Sequence, residues 1–350
     1  MSAPFVRATF DVAVLMRCFT IATIPAWLVG TWNVGYQTLN VFSVVPGSVL
    51  RGWQANVFGS WFNQASPESW TDCLAAGLVY HVPLFVVAAL TVAAWDHAFA
   101  RLRNRPTDPA WLMTAWLFAL LLPAGTPLTV AALAISFGVF FGAHVFGGTG
   151  RYLVSPALLG VLFVDFGYPA VSDVVVPVVG ASVATGWTQL ADDPARETFT
   201  TLLLGIDPGA VGTASALACS IGAIWLVTMG AASWRLFAGA AIGLLFAASF
   251  GNLAASEDPV AALPWFWHIV AGNLAFAISF IATDPSSAPL TRASRWGYGF
   301  LIGVFTIVLR VLDPAHPEGS LYAILLASLC VPLLDYLVVR RYRQVTRRTT

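Results

Sequence analysis

The stretch "VFGGTGRYLVSP" at residues 145–156 decides between two kinds of protein. Three glycines and a threonine follow one long apolar run and lead directly into another. Glycines packed this closely can let a backbone close on a phosphate. A dinucleotide loop, however, needs G-x-G-x-x-G between a strand and a helix, and a P-loop needs G-K-[ST]. Gly148 and Gly150 supply the first pair, Leu153 stands at the third glycine position, and no G-K-[ST] occurs. The stretch reads as a tight turn between two membrane helices, with Arg151 anchoring it to headgroups.

The rest of the chain points the same way. Of 350 residues, 58% are hydrophobic and 10% are charged, with a mean hydropathy of +0.77. A soluble domain carries about 25% charged residues. The composition therefore predicts a single polytopic membrane domain over 1–350, all-α in class. The apolar start reads as a first span, because it runs past the ~7–15 residues of a signal h-region. A span takes about 20 mostly apolar residues, and ten candidates follow: 12–34, 75–94, 110–123, 128–145, 153–168, 214–229, 236–254, 267–282, 296–311 and 321–339. Those at 110–123 and 153–168 are short and bounded by proline and glycine, which predicts broken helices lining a protein-buried site.

All basic residues are arginine. With the N-terminus (1–11) inside, every arginine except Arg51, Arg196 and Arg310 falls on the cytoplasmic side, the bias expected of a multi-pass protein with both termini there. The tail at 340–350, with "RRYRQVTRR", abuts a span and reads as an anchor to anionic lipid. Nucleic-acid binding has no support. Outside lie 40–71 and 171–207. The second, rich in Val and Thr, reads as an ordered outer loop with some extended structure. "AISFGVFFGAHVFGG" and "AISFIATDPSSAP" echo one another and suggest two related halves.

Four scattered cysteines exclude a sequence-local zinc or iron–sulfur site, and no nucleophile–base arrangement supports hydrolase chemistry. Ionisable residues at membrane depth are functional candidates by default. They are Asp165, Asp335 and His144, with Asp96 beside Trp95 at an inner helix end.

With these segments in order, the chain resembles the NqrB-type membrane component of the sodium-translocating NADH:quinone reductase. More distantly, it resembles the RnfD component of the Rnf complexes. The anchors are "VFGGTGR…PALLG", "GYPA", "PGAVG", "GAASWR", "PWFWH", "ATDPSSA", "LRVLDPAHPEG" and "PLLDYLVV". The resemblance implies about ten helices in two related halves, a bacterial inner-membrane location, partner subunits, quinone, and electron transfer through flavins that can be coupled to Na⁺ or H⁺ movement. It implies FMN joined through its phosphate to Thr185, in a D-G-x-S-G-A-T motif that falls on 179–185 and keeps Ser182. Val179 and Val183 stand where that motif has Asp and Gly. It also implies riboflavin against the turn made by Gly147, Gly148, Thr149 and Gly150, where Tyr152 and Ser155 replace two asparagines. In "PGAVGT", Gly209 is kept and Thr213 replaces a glutamate. The quinone region of the family includes an acid after a tryptophan, matched by Trp95–Asp96. The scaffold is kept better than the polar flavin contacts, so a second reading stands beside the first. In it the chain keeps the fold and acts as a transporter, a channel or a partner-binding membrane subunit.

Overall fold

The computed structural model describes residues 12–44, 49–50, 52–172, 177–179, 199–206, 208–254, 263–312 and 319–349. The fold is an all-α polytopic membrane protein, and helical segments coincide with all ten sequence-predicted spans. Five helices are long and apolar enough to cross a bilayer, and four shorter apolar ones accompany them among the described residues.

Helices α1 (Val12–Ala22) and α2 (Ile24–Val44) make one kinked span. Pro25 has no N–H for the carbonyl four residues before it. The Thr20 and Thr23 hydroxyls donate to the Met16 and Thr20 carbonyls around the kink. Within the segment 40–71, α2 continues to Val44, and α3 (Gln54–Phe62) follows. Phe62 pulls α3 inward, buried against Tyr80. Helix α4 (Trp70–Arg103) begins at Ser69, whose hydroxyl accepts from the Asp72 N–H, and ends at Asn104 in the left-handed region (φ 49°).

Helix α5 (Trp111–Leu121) has 11 residues, about 16 Å of rise, or half of a ~30 Å hydrocarbon layer. The chain continues through extended Leu122, with Leu122, Ala124 and Thr126 buried. Irregular backbone at this depth is tolerated only inside protein. Helix α6 (Leu128–Phe137) runs on as a π-helical stretch (Gly138–His144), and α7 (Pro156–Gly167) and α8 (Pro169–Ser172) follow the glycine turn. Within 171–207, Val178–Val179 (β2) pairs antiparallel with Val49–Leu50 (β1), Val49 opposite Val179, and α9 spans Phe199–Leu204.

The second half holds α10 (Ala216–Thr228), α11 (Trp234–Ala254), a broken span, α14 (Arg292–Leu312) and α15 (Gly319–Thr349). The broken span is α12 (Trp267–Val270), α13 (Leu274–Phe276) and a second π-helical stretch (Ala277–Ile281). Fully buried Arg310 holds the break, donating to the His268 and Ala271 carbonyls at 2.7 and 2.9 Å. Both halves share a packing scheme: α4 lies on α6 and α6 on α7, as α11 lies on α14 and α14 on α15. Backbones touch where α2 meets α4. A Cβ on Gly35 would lie 1.7 Å from the Cys73 carbonyl oxygen, and one on Gly77 would lie 1.9 Å from that of Thr31. At the centre, the Gly212 N–H donates to the Leu120 carbonyl at 2.7 Å, beside the buried rings of Phe276 and Phe280.

Candidate functional site

The connections at 104–110, 145–155 and 282–291 gather at one end of the bundle, the end that carries Arg101, Arg103, Arg105 and Arg151. Gly147, Gly148 and Gly150 adopt φ of 106°, 95° and 82°, a region that glycine enters without a Cβ penalty. The turn can therefore fold back so that the Gly147 and Gly148 N–H groups both donate to the Ala143 carbonyl. Asp108 takes hold of the next residue. It accepts from the Thr149 N–H at 2.8 Å and from the Thr149 hydroxyl. Tyr152 is buried, and its hydroxyl donates to Asp284 Oδ2 at 3.2 Å. Ser155, also buried, places its hydroxyl against the same carboxylate.

Beside this turn, His144 Nε2 lies 3.1 Å from Asp96 Oδ1, both side chains deeply buried. The His144 ring stacks on Phe99 at 4.3 Å, and Trp95 packs against Phe99 and Phe140. Arg103 lies over the Phe99 ring and donates to the His144 carbonyl at 2.6 Å. Asp96, Phe99, Arg103 and His144, with Asp108 and Gly147 to Thr149, line a cleft of ≈ 210 Å³. Of the sequence candidates, Asp96, His144, Gly147, Gly148 and Thr149 thus share one cleft; Trp95 packs on Phe99 beside it, and Gly150, Tyr152 and Ser155 belong to the same connection, the last two set on Asp284.

The others lie elsewhere. Asp165 is ten positions along α7 from Ser155, about 15 Å away, and accepts from the Tyr322 hydroxyl. Gly209 and Thr213 form a tight turn whose Thr213 hydroxyl donates to the Ala210 carbonyl. Asp335 accepts from the Leu290 and Thr291 N–H groups at 3.0 and 3.1 Å, tying α15 to the entry of α14. This is a fastening role, and the side chain is only partly buried. Asp335→Ala is expected to cost about 1 kcal/mol and to leave any electron-transfer rate unchanged; a lost rate in a stably folded variant would contradict it. Ser182 and Thr185 lie outside the described residues.

Asp108 and Asp284 were missed as site residues, and a signal for them existed. Each is the centre of a Thr-Asp-Pro triplet, at 107–109 and 283–285. Each carboxylate accepts from the N–H two residues on, Ala110 at 2.9 Å and Ser286 at 3.0 Å, the turn that Asp favours. Burial raises the Asp108 carboxyl and pushes that of Asp284 up to about 6, against the lowering effect of the Ser286 N–H and the Tyr152 hydroxyl. A folded value above the unfolded one means that the neutral acid favours the fold. The stability gained is complete below pH about 4 and is lost as pH rises through about 6. The melting temperature of the detergent-solubilised chain should fall from pH 5 to 7, and Asp284→Asn should remove most of that fall. An equal fall in Asp284→Asn would assign it to other groups.

Tyr152 and Ser155 stand where the resemblance places flavin-holding asparagines, yet both hydroxyls are engaged by Asp284. They do not fit a riboflavin held from those positions.

The family model described as "NQR2, RnfD, RnfE family" matches residues 1–343. The chain is 38% identical over 347 residues to the B subunit of the Na(+)-translocating NADH-quinone reductase of Azotobacter vinelandii, covering 96% of this chain and 86% of that protein. It is 36% identical over 360 residues to the same component of the Klebsiella pneumoniae enzyme, covering 97% and 87%.

Proposed function

Since the chain belongs to the NQR2, RnfD, RnfE family, we propose that it is a membrane subunit of an Nqr- or Rnf-like electron-transport complex. The observation that carries this reading is the match along residues 1–343, on helices broken at the same places that the apolar runs are interrupted. The arginine-rich end faces the cytoplasm of a bacterial inner membrane, with both termini on that side. The protein sits in lipid among the other components of the complex and passes electrons towards quinone, with coupled Na⁺ or H⁺ movement. Thr185, in a motif that keeps Ser182, would hold FMN through its phosphate, and that flavin would supply a one- or two-electron carrier. The chain's own contribution at the inner face is the cleft. Phe99, backed by Trp95, offers flat apolar surface to a quinone ring, while Asp96, His144 and Arg103 present polar groups at its edge.

The transporter reading has less behind it. Buried Leu120, Phe276 and Phe280 fill the centre around Gly212 and offer no polar lining there to a solute.

The test is to express the chain with its neighbouring subunits and examine it by in-gel flavin fluorescence and NADH-driven quinone reduction. Fluorescence that survives denaturation and disappears in Thr185→Ala is the expected result. A colourless protein that moves a small solute in liposomes would overturn the reading.

A further inference from the structure

We infer that the glycine turn is closed upon itself by two Thr-Asp-Pro turns, one from each half, and that it holds no riboflavin. The clamp is built from the same triplet twice, although the two copies sit at different connections of their halves. Asp108 and Asp284 each use one oxygen to close their own turn and reach the glycine turn with the carboxylate. Asp108 takes Thr149 and Asp284 takes Tyr152.

The consequence is chemical. An isoalloxazine ring is oriented and tuned by donors and acceptors aimed at its edge. Here the N–H groups of Gly147, Gly148 and Thr149 are already engaged, the first two by Ala143 and the third by Asp108. The Tyr152 hydroxyl is engaged by Asp284. Ser155 faces that carboxylate too. Tyr152 also fills volume: its ring is 4% exposed, where a shorter asparagine would leave a gap. The cleft that remains is ≈ 210 Å³, below the ~300 Å³ at which pockets for ligands of this size begin. Opening it for a flavin would break at least one buried carboxylate contact and leave its partner unsatisfied.

This inference rests on the electron-transfer reading only for the flavin that it excludes, and the experiment separates the two. The chain is purified in its intact complex, denatured in acid, and the supernatant is chromatographed to resolve riboflavin from FMN and FAD. No riboflavin above background is expected, whereas one riboflavin per chain would overturn the inference. The double variant Tyr152→Asn, Ser155→Asn, grown with added riboflavin, is expected to take it up. If that variant keeps the wild-type melting temperature and still binds none, closure by these two side chains is overturned. The pellet reports on the other reading: no protein-bound flavin together with no quinone reduction sinks the electron-transfer role and leaves the closed turn standing.

Discussion

Adding a single methyl group at Gly35 is expected to prise α2 away from α4 and destabilise the first half. The Cβ of Gly35→Ala would lie 1.7 Å from the Cys73 carbonyl oxygen, with the Gly77 N at 2.8 Å. Both atoms are backbone of α4, so no side chain can swing aside. Overpacking in ordinary cores costs about 1–3 kcal/mol because side chains give way; here two helices must part, so the loss should reach the top of that range or beyond. For 350 residues a loss of about 3 kcal/mol corresponds to a fall of roughly 4 °C in melting temperature, with less monodisperse protein recovered in detergent. Gly59→Ala on α3 is the control, since nothing lies within 4 Å of its Cβ. Helix propensity alone should make that variant neutral or slightly more stable. A Gly35→Ala protein with wild-type melting would show that the α2–α4 contact is looser than its geometry.

Removing the charge of Arg310 is the second large effect. Its guanidinium is fully buried and caps the end of α12, where the break begins, through the His268 and Ala271 carbonyls. Arg310→Met keeps most of the volume and leaves those carbonyls without their donor, which costs about 1–3 kcal/mol for each buried acceptor left unsatisfied. Arg310→Lys should be intermediate, because an ammonium cannot reproduce the fork that reaches two carbonyls at once. Hydrogen exchange should report the damage locally, with faster exchange at 267–273 than in α11. Uniform exchange in the methionine variant would place the role of Arg310 elsewhere.

The spans were legible because bilayer thickness turns chain length into a physical constraint, and the apolar runs at 75–94 and 321–339 could be little else. The breaks near 123 and 271 were partly legible, the first through Pro123 and Pro127. The second has no proline and depends on Arg310, far away in sequence. The repeated "AISF" was visible, but not its meaning: π-helix follows the first copy and contains the second, a choice that local residue preferences do not announce. Within the site, the glycine turn stood out by composition alone. The pairing of Asp96 with His144, and of Tyr152 with Asp284, could not be read, because each joins residues brought together only by tertiary packing. The Thr-Asp-Pro pair shows what was there to be seen, since a triplet repeated at two helix connections carries its turn chemistry in plain sight.

The bond from Gly212 to Leu120 bears on how such a chain is made. The carbonyl at the end of the half-length helix α5 finds its donor in a residue just ahead of α10. Synthesis runs from the N-terminus at about 5–20 residues per second, so α5 enters the bilayer seconds before Gly212 exists. Until then the helix end has no protein donor in a medium that supplies none. The first five spans are therefore not a self-sufficient folding unit, although they echo the second five. A ribosome stalled between 172 and 206 should leave a nascent chain whose α5 is still accessible to water-soluble probes, and release of the full chain should close it.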